Sequence, residues 1–145
     1  MDWFNYYGLI FLAVILIPNI VYAVKNKGGD LNADISKAAV IAEQTGRYGC
    51  MIFTVFNIPF TYFNFWFDGA LTVYLSVNGA LCFAYLISWA LLGNKSGLLR
   101  ALLLSVLPTL IFAFGGIMLL NVPLMIFSAV FGASHIFISV KNAKR

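Results

Sequence analysis

Four long stretches of the sequence contain no acidic or basic residue. They cover residues 3–24, 48–67, 69–94 and 101–140, and each consists mainly of apolar side chains. An α-helix needs about 20 predominantly apolar residues to cross the hydrocarbon core of a bilayer. The pattern therefore predicts membrane-spanning helices rather than the amphipathic helices of a soluble domain.

The last uncharged stretch is too long for one span. As a single helix it would measure about 60 Å, twice the thickness of the hydrocarbon core. Asn121 and Pro123 combine a turn former with a helix breaker, whereas a break at Gly115-Gly116 would leave a short first leg. A turn at Asn121 is predicted. The five predicted spans are about 3–24, 38–66, 70–92, 98–120 and 122–140.

Composition leads to the same class of protein. Hydrophobic residues make up 62% of the 145 residues, charged residues only 10%, and the mean hydropathy is +0.93. Ordinary globular chains have about 25% charged residues, which they need to cover their surface. We therefore expect residues 1–145 to form a single all-α integral membrane bundle of five transmembrane helices.

The nine basic residues predict the orientation. With five spans, all of them fall on one side of the membrane: Lys25, Lys27, Lys37, Arg47, Lys95, Arg100, Lys141, Lys144 and Arg145. Asp2 and Asp68 fall on the other side. Because cytoplasmic segments collect Lys and Arg, the N-terminus should lie outside and the C-terminus in the cytoplasm. The protein is expected in the cytoplasmic membrane as a multi-pass protein, and its positive charge indicates contact with anionic lipid, not with nucleic acid.

Polar residues in the second predicted span recur at steps of four and three. The line consists of Glu43, Arg47, Cys50, Thr54, Asn57, Thr61 and Asn64. This spacing places all seven on one helix face, directed toward protein or water, and Pro59 beside it predicts a kink. Similar lines occur on the other spans, namely Asn78, Cys82, Tyr85 and Trp89; Ser105, Thr109, Phe112 and Gly116; and Ser128, Gly132, His135 and Ser139.

Ionisable residues within these spans point to a candidate site. Asn19, Glu43, Arg47 and His135 are expected in one slab, about 7 to 14 Å below the cytoplasmic boundary. One interpretation is an i,i+4 pair of Glu43 and Arg47 that balances its own charge. The other is a polar cavity with Arg47 as the receptor for an anion. The candidate ligand-binding residues are Asn19, Glu43, Arg47, Asn57, Asn78, Tyr85 and His135.

Several kinds of chemistry are not indicated. A single histidine cannot provide bis-histidine haem ligation, and five acidic residues offer little for a metal site. Cys50 and Cys82 both lie within spans, so neither a disulfide framework nor a zinc site is expected. Ser134 and His135 are adjacent and point about 100° apart on a helix, so they cannot pair. No catalytic residue, cofactor or metal is predicted.

The segment EQTGRYGC at 43–50, followed by NIP at 57–59, resembles small multi-spanning bacterial membrane proteins without an assigned activity. The resemblance implies a broad class of protein only. The chain is also similar to the small membrane-bound glutathione and eicosanoid enzymes, in its outward N-terminus and in the Glu, Arg and Asn of its second span. Those enzymes place Glu and Arg next to each other and use four spans, so no residue role is carried over.

We expect the protein to bind or transport a small polar or anionic molecule or a lipid, or to act as a membrane subunit of a larger complex. The alternatives are a small membrane-embedded transferase with a pocket on the cytoplasmic side, and a purely structural scaffold. The expected partners are membrane lipid, a small polar or anionic ligand, and either a second copy of the chain or another membrane subunit. A ligand-sized space around Arg47 would favour binding, transport or catalysis over a scaffold.

Overall fold

The computed structural model describes residues 3–25, 35–63, 65–93, 95 and 97–143. Over these ranges the regular structure consists of five α-helices and one isolated bridge between Phe4 and Phe56. The helices are α1 (Tyr6–Lys25), α2 (Lys37–Val55), α3 (Ala70–Leu92), α4 (Leu98–Leu119) and α5 (Val122–Ala143). The predicted all-α class is confirmed.

Four of the described helices, α1, α3, α4 and α5, are long and apolar enough to cross a membrane. In α1, only 22% of the most apolar 18-residue window is buried inside the bundle. Large exposed apolar surfaces of this kind are unfavourable in water and favourable in lipid. The 19-residue helix α2 is not among the four, because polar residues such as Glu43, Gln44 and Arg47 lower its hydropathy. The structure thus supports a membrane-embedded helical bundle.

The helices surround a common core in the order α1, α2, α5, α4 and α3, and α3 closes the ring against α1. Neighbours run antiparallel, apart from α1 and α3, which are parallel. One end of the bundle is formed by residues 3–5, 56–63, 65–69 and 119–122, and we call it the capped end. The other end carries most of the described basic residues, and we call it the basic end; these residues are Lys25, Lys37, Lys95, Arg100 and Lys141.

The predicted second span is wrong beyond residue 55. α2 ends at Val55, so Asn57 and Thr61 are not helical, while Asn64 lies outside the described residues. Pro59 produces no helix kink, because it lies in the segment after the helix. A proline disfavours helical backbone in the residue before it and cannot donate a hydrogen bond itself. The four earlier members of the polar line are helical, and of these Glu43, Cys50 and Thr54 are buried as predicted.

Main-chain hydrogen bonds across the capped end replace the missing turns of α2. Asn5 N donates to the Val55 carbonyl oxygen and Asn57 N to that of Trp3, both at 2.7 Å. Val122 N donates to the carbonyl oxygen of Thr61 at 3.2 Å. These bonds satisfy backbone groups that lipid could not satisfy, so the non-helical segment is held against protein.

The predicted turn at Asn121 is confirmed, since α4 ends at Leu119 and α5 begins at Val122. Asn121 is fully buried. Its side-chain oxygen accepts a hydrogen bond from Leu124 N at 3.1 Å, which caps α5, and its Nδ2 donates to the Phe53 carbonyl oxygen at 3.3 Å. The Asn121 side chain therefore caps the N-terminus of α5 and also links it by a hydrogen bond to the end of α2.

The polar and small residues predicted to face inward are mostly buried. The buried members on α3, α4 and α5 are Asn78, Cys82, Tyr85, Ser105, Phe112, Gly116, Ser128 and Gly132. Trp89, Thr109, His135 and Ser139 are half-buried. Small and hydroxylated residues at these positions allow close approach of helices and hydrogen bonds between them.

Candidate functional site

Glu43 lies at the centre of a polar group formed by α2 and α5. Its Oε1 accepts a hydrogen bond from Nη2 of Arg47, one turn later on α2. The same oxygen lies 3.3 Å from Nδ1 of His135 on α5. The exposed fraction of the side chain is 5% for Glu43, 23% for His135 and 37% for Arg47. The carboxylate is thus buried between two nitrogen groups, while the Arg47 side chain is partly exposed.

Glycine contacts bring α5 close enough for this arrangement. A Cβ on Gly46 would lie 2.6 Å from the backbone nitrogen of Phe131, and a side chain on Gly49 would overlap the ring of Phe127. Because the two helices are antiparallel, this register places His135 opposite Glu43. The His135 ring also stacks on Phe131, with centroids 4.7 Å apart and an interplanar angle of 14°. The position of the imidazole is therefore fixed by both helices.

Two further candidates, Asn19 and Tyr85, form a pair that joins α1 to α3. Asn19 Nδ2 donates to the hydroxyl oxygen of Tyr85 at 2.7 Å and to the Ile15 carbonyl oxygen at 2.8 Å. Tyr85 is fully buried, and its hydroxyl lies within electrostatic range of the Arg47 guanidinium. The predicted slab of polar residues thus consists of two bonded groups near each other, one on α2 and α5 and one on α1 and α3.

The remaining candidates lie elsewhere. Asn57 follows the end of α2 at the capped end, about 20 Å along the helix axis from Glu43. Asn78 is buried against α4, where its Nδ2 donates to the Ile111 carbonyl oxygen at 3.3 Å. It lies two turns, about 10 Å, from Tyr85 on α3. Neither asparagine joins the group around Glu43.

Sequence reasoning missed Asn5, which is fully buried at the start of α1. Its Oδ1 accepts a hydrogen bond from Gly8 N at 3.0 Å, and its Nδ2 donates to the Tyr74 hydroxyl at 3.2 Å. The signal for the cap was an asparagine directly before an apolar run. The hydrogen bond from Asn5 to Tyr74 on α3 could not be predicted from the sequence, because the two residues are 69 positions apart and meet only through helix packing.

Side chains suited to covalent or metal chemistry do not gather at this site. Cys50 and Cys82 are free and buried. Within the described ranges, no group of three or more His, Cys, Asp or Glu residues could hold a metal ion. The chemistry that the arrangement offers is hydrogen bonding and charge. An arginine fork can bind a carboxylate or phosphate through two parallel hydrogen bonds.

No protein-family model matches the chain, and neither a curated protein nor a solved structure shows significant similarity to it. A functional proposal therefore rests on the residues just described.

Proposed function

We propose that the chain crosses the cytoplasmic membrane five times, with α2 as the fifth span beside the four apolar helices. α2 is about 28 Å long, close to the thickness of the hydrocarbon core. It packs along α5 and α1, and Glu43, its described acidic residue, is buried against α5 rather than facing lipid. A polar helix that directs its charges into a bundle is compatible with the bilayer.

The proposed orientation has the N-terminus outside and the basic end in the cytoplasm. The described basic residues outside the centre of α2 all lie at that end, and Asp68 lies at the capped end. Aromatic side chains with large exposed surfaces gather at the capped end, including Trp3 at 65% and Trp66 at 55%. Such side chains favour a membrane interface, and the charge difference between the ends follows the positive-inside rule.

Within this frame, we propose that the protein binds a small anionic molecule at Arg47, reached from the basic end. The observation that supports this most is the difference in exposure between Arg47 at 37% and Glu43 at 5%. The carboxylate is enclosed and shared with His135, while more than a third of the Arg47 side-chain surface remains accessible. Glu43 orients Arg47, and the remaining N–H groups of Arg47 bind the anion.

A structural scaffold is the second proposal, and the shared carboxylate favours it. Glu43 contacts both Arg47 and His135, so the group balances much of its own charge without a ligand. Membrane helices tolerate ionisable residues when they pair in this way. On this alternative the polar group fixes the register of α2 against α5, and the protein acts as a membrane subunit of a larger assembly.

A thermal-shift screen in detergent distinguishes the two proposals. The compounds are phosphate, sulfate, succinate, citrate and nucleoside monophosphates, tested with wild type and with Arg47→Lys. The binding proposal predicts that at least one anion raises the midpoint of wild type and that Arg47→Lys loses most of the shift, since lysine lacks the planar fork. The scaffold proposal predicts no stabilising anion, or an equal shift in both proteins.

A further inference from the structure

A second arginine packs beside a pair of aromatic rings at the basic end, where α1, α3 and α4 meet. The guanidinium carbon of Arg100 lies 4.8 Å from the ring centroid of Tyr22 and 5.5 Å from that of Trp89. The two rings are 5.4 Å apart. Arginine stacks well on aromatic faces, which fix its plane without using its hydrogen-bond donors.

One donor of this cluster, Nε of Arg100, is buried without an acceptor among the described residues. Nε1 of Trp89 is also buried, with the Tyr85 hydroxyl as its neighbour. Of the two described acidic residues, Glu43 is shared by Arg47 and His135, and Asp68 lies at the capped end. Buried donors in native proteins nearly always have a partner, and an unmet one suggests a bound water or ion. Arg100 therefore has a buried donor and no carboxylate partner among the described residues.

The surroundings of Arg100 indicate where an acceptor would come from. Arg100 is the third residue of α4, and the two residues before it, Leu98 and Leu99, are 46% and 63% exposed. Because α4 begins at Leu98, Arg100 lies in its first turn at the basic end, close to the membrane boundary on that side, and the exposed leucines beside it would contact lipid. The charged group of a phospholipid at that boundary is its phosphate.

We propose that Arg100, Tyr22 and Trp89 form a binding site for the phosphate of an anionic phospholipid in the leaflet at the basic end. The rings pack against the guanidinium, and its N–H groups donate to the phosphate oxygens. The site is distinct from Arg47, which lies on α2 and pairs with Glu43. It stands on Arg100 and its neighbours and does not require an anion at Arg47.

The first test measures the midpoint of thermal unfolding in detergent with added phosphatidylglycerol, phosphatidylcholine or inorganic phosphate. Wild type should be stabilised most by phosphatidylglycerol. Arg100→Gln should lose this preference, and Arg100→Lys should lose part of it. Lys95→Gln, which removes an exposed charge from the same connection, is the matched control and should behave as wild type. An unchanged preference in Arg100→Gln would overturn the proposal. So would stabilisation by inorganic phosphate that equals that by phosphatidylglycerol and is lost in Arg100→Gln.

A second test does not need Arg100→Gln to fold. With Trp3→Phe and Trp66→Phe, the fluorescence of Trp89 reports lipid at the cluster. In liposomes, brominated phosphatidylglycerol should be enriched at Trp89 about fivefold over brominated phosphatidylcholine, the size expected for one basic residue near a membrane surface. Equal quenching by the two lipids would contradict the proposal.

Two acidic residues, Asp30 and Asp34, belong to the segment 26–34 outside the described residues. Asp30→Asn with Asp34→Asn tests whether a carboxylate competes with lipid for Arg100. The double variant should keep the wild-type preference for phosphatidylglycerol. A larger preference would mean that a carboxylate already meets Arg100, and the phosphate site would be rejected.

Discussion

Nδ1 of His135 on α5 lies 3.3 Å from Oε1 of Glu43 on α2, the oxygen that also accepts the hydrogen bond of Arg47. One buried carboxylate therefore joins a helix that qualifies by its hydropathy as a membrane span, α5, to one that does not, α2. Removing the carboxylate takes a partner from both Arg47 and His135. This makes Glu43 the position from which the polar group can best be tested.

We expect Glu43→Gln to destabilise the protein, because Arg47 loses its countercharge at a depth where an unpaired arginine costs up to about 3 kcal/mol. Adding Arg47→Met should recover most of the loss, since replacing both partners of a buried pair is often tolerated. Thermal unfolding in detergent measures both. Thr45→Val, at an exposed position on α2, is the control. A double variant as unstable as Glu43→Gln would show that the pair is not the reason for the loss.

The close contact of α2 with α5 is tested at Gly46. Gly46→Ala places a methyl group within 2.6 Å of the Phe131 backbone, so the helices must separate. Overpacking of this kind costs about 1 to 3 kcal/mol. Gly79→Ala on α3 is the matched control, because no atom lies within 4 Å of its added Cβ. If both variants unfold at the same temperature in detergent, the register of α2 against α5 is wrong.

Tyr85→Phe removes the hydroxyl that accepts the hydrogen bond of Asn19 and leaves the ring in place. Interhelical hydrogen bonds in membranes average about 0.6 kcal/mol, so a loss of this size is expected. In a double-mutant cycle with Asn19→Leu, the coupling energy should be similar and should stabilise wild type. A coupling indistinguishable from zero would mean that the 2.7 Å contact does not bind α1 to α3.

The five-span topology is tested by labelling single cysteines introduced at Lys37, Lys95 and Asp68. Each is exposed, and Cys50→Ala with Cys82→Ala provides the background. Cysteines at Lys37 and Lys95 should react only with reagent supplied from the cytoplasm, and the one at Asp68 only with reagent from outside. Lys37 and Asp68 lie on either side of α2. Labelling of both from the same side would show that α2 does not cross.

Much of the fold can be predicted from single residues and local runs. Of the five predicted spans, four correspond to helices that are long and apolar enough to cross a membrane. Asn121 with Pro123 predicts the last turn, and the i,i+4 spacing of Glu43 and Arg47 predicts their contact. The end of α2 could not be predicted in this way. Residues 56–63 carry no charged residue, and part of their backbone bonds to other segments, as Asn57 N does with the Trp3 carbonyl oxygen.

The same reason limits prediction of the sites. His135 could be placed level with Glu43 from its depth alone, and the structure brings the two together. The cluster of Arg100 with Tyr22 and Trp89 could not be found from depth, because three helices contribute one residue each. The aromatic rings that contact Arg100 depend on the order of the helices around the bundle, which the sequence pattern does not give.

The binding isotherm of the most stabilising anion of the panel tests the central claim, that Arg47 is the receptor for an anion. Titration calorimetry in detergent compares wild type, Arg47→Lys and Arg100→Lys, so that the same change is made at both arginines. The account predicts saturable binding of one anion per chain, at least about tenfold weaker binding in Arg47→Lys because the bidentate geometry is lost, and unchanged binding in Arg100→Lys. Equal affinity of wild type and Arg47→Lys, or no saturable binding to wild type, would contradict it.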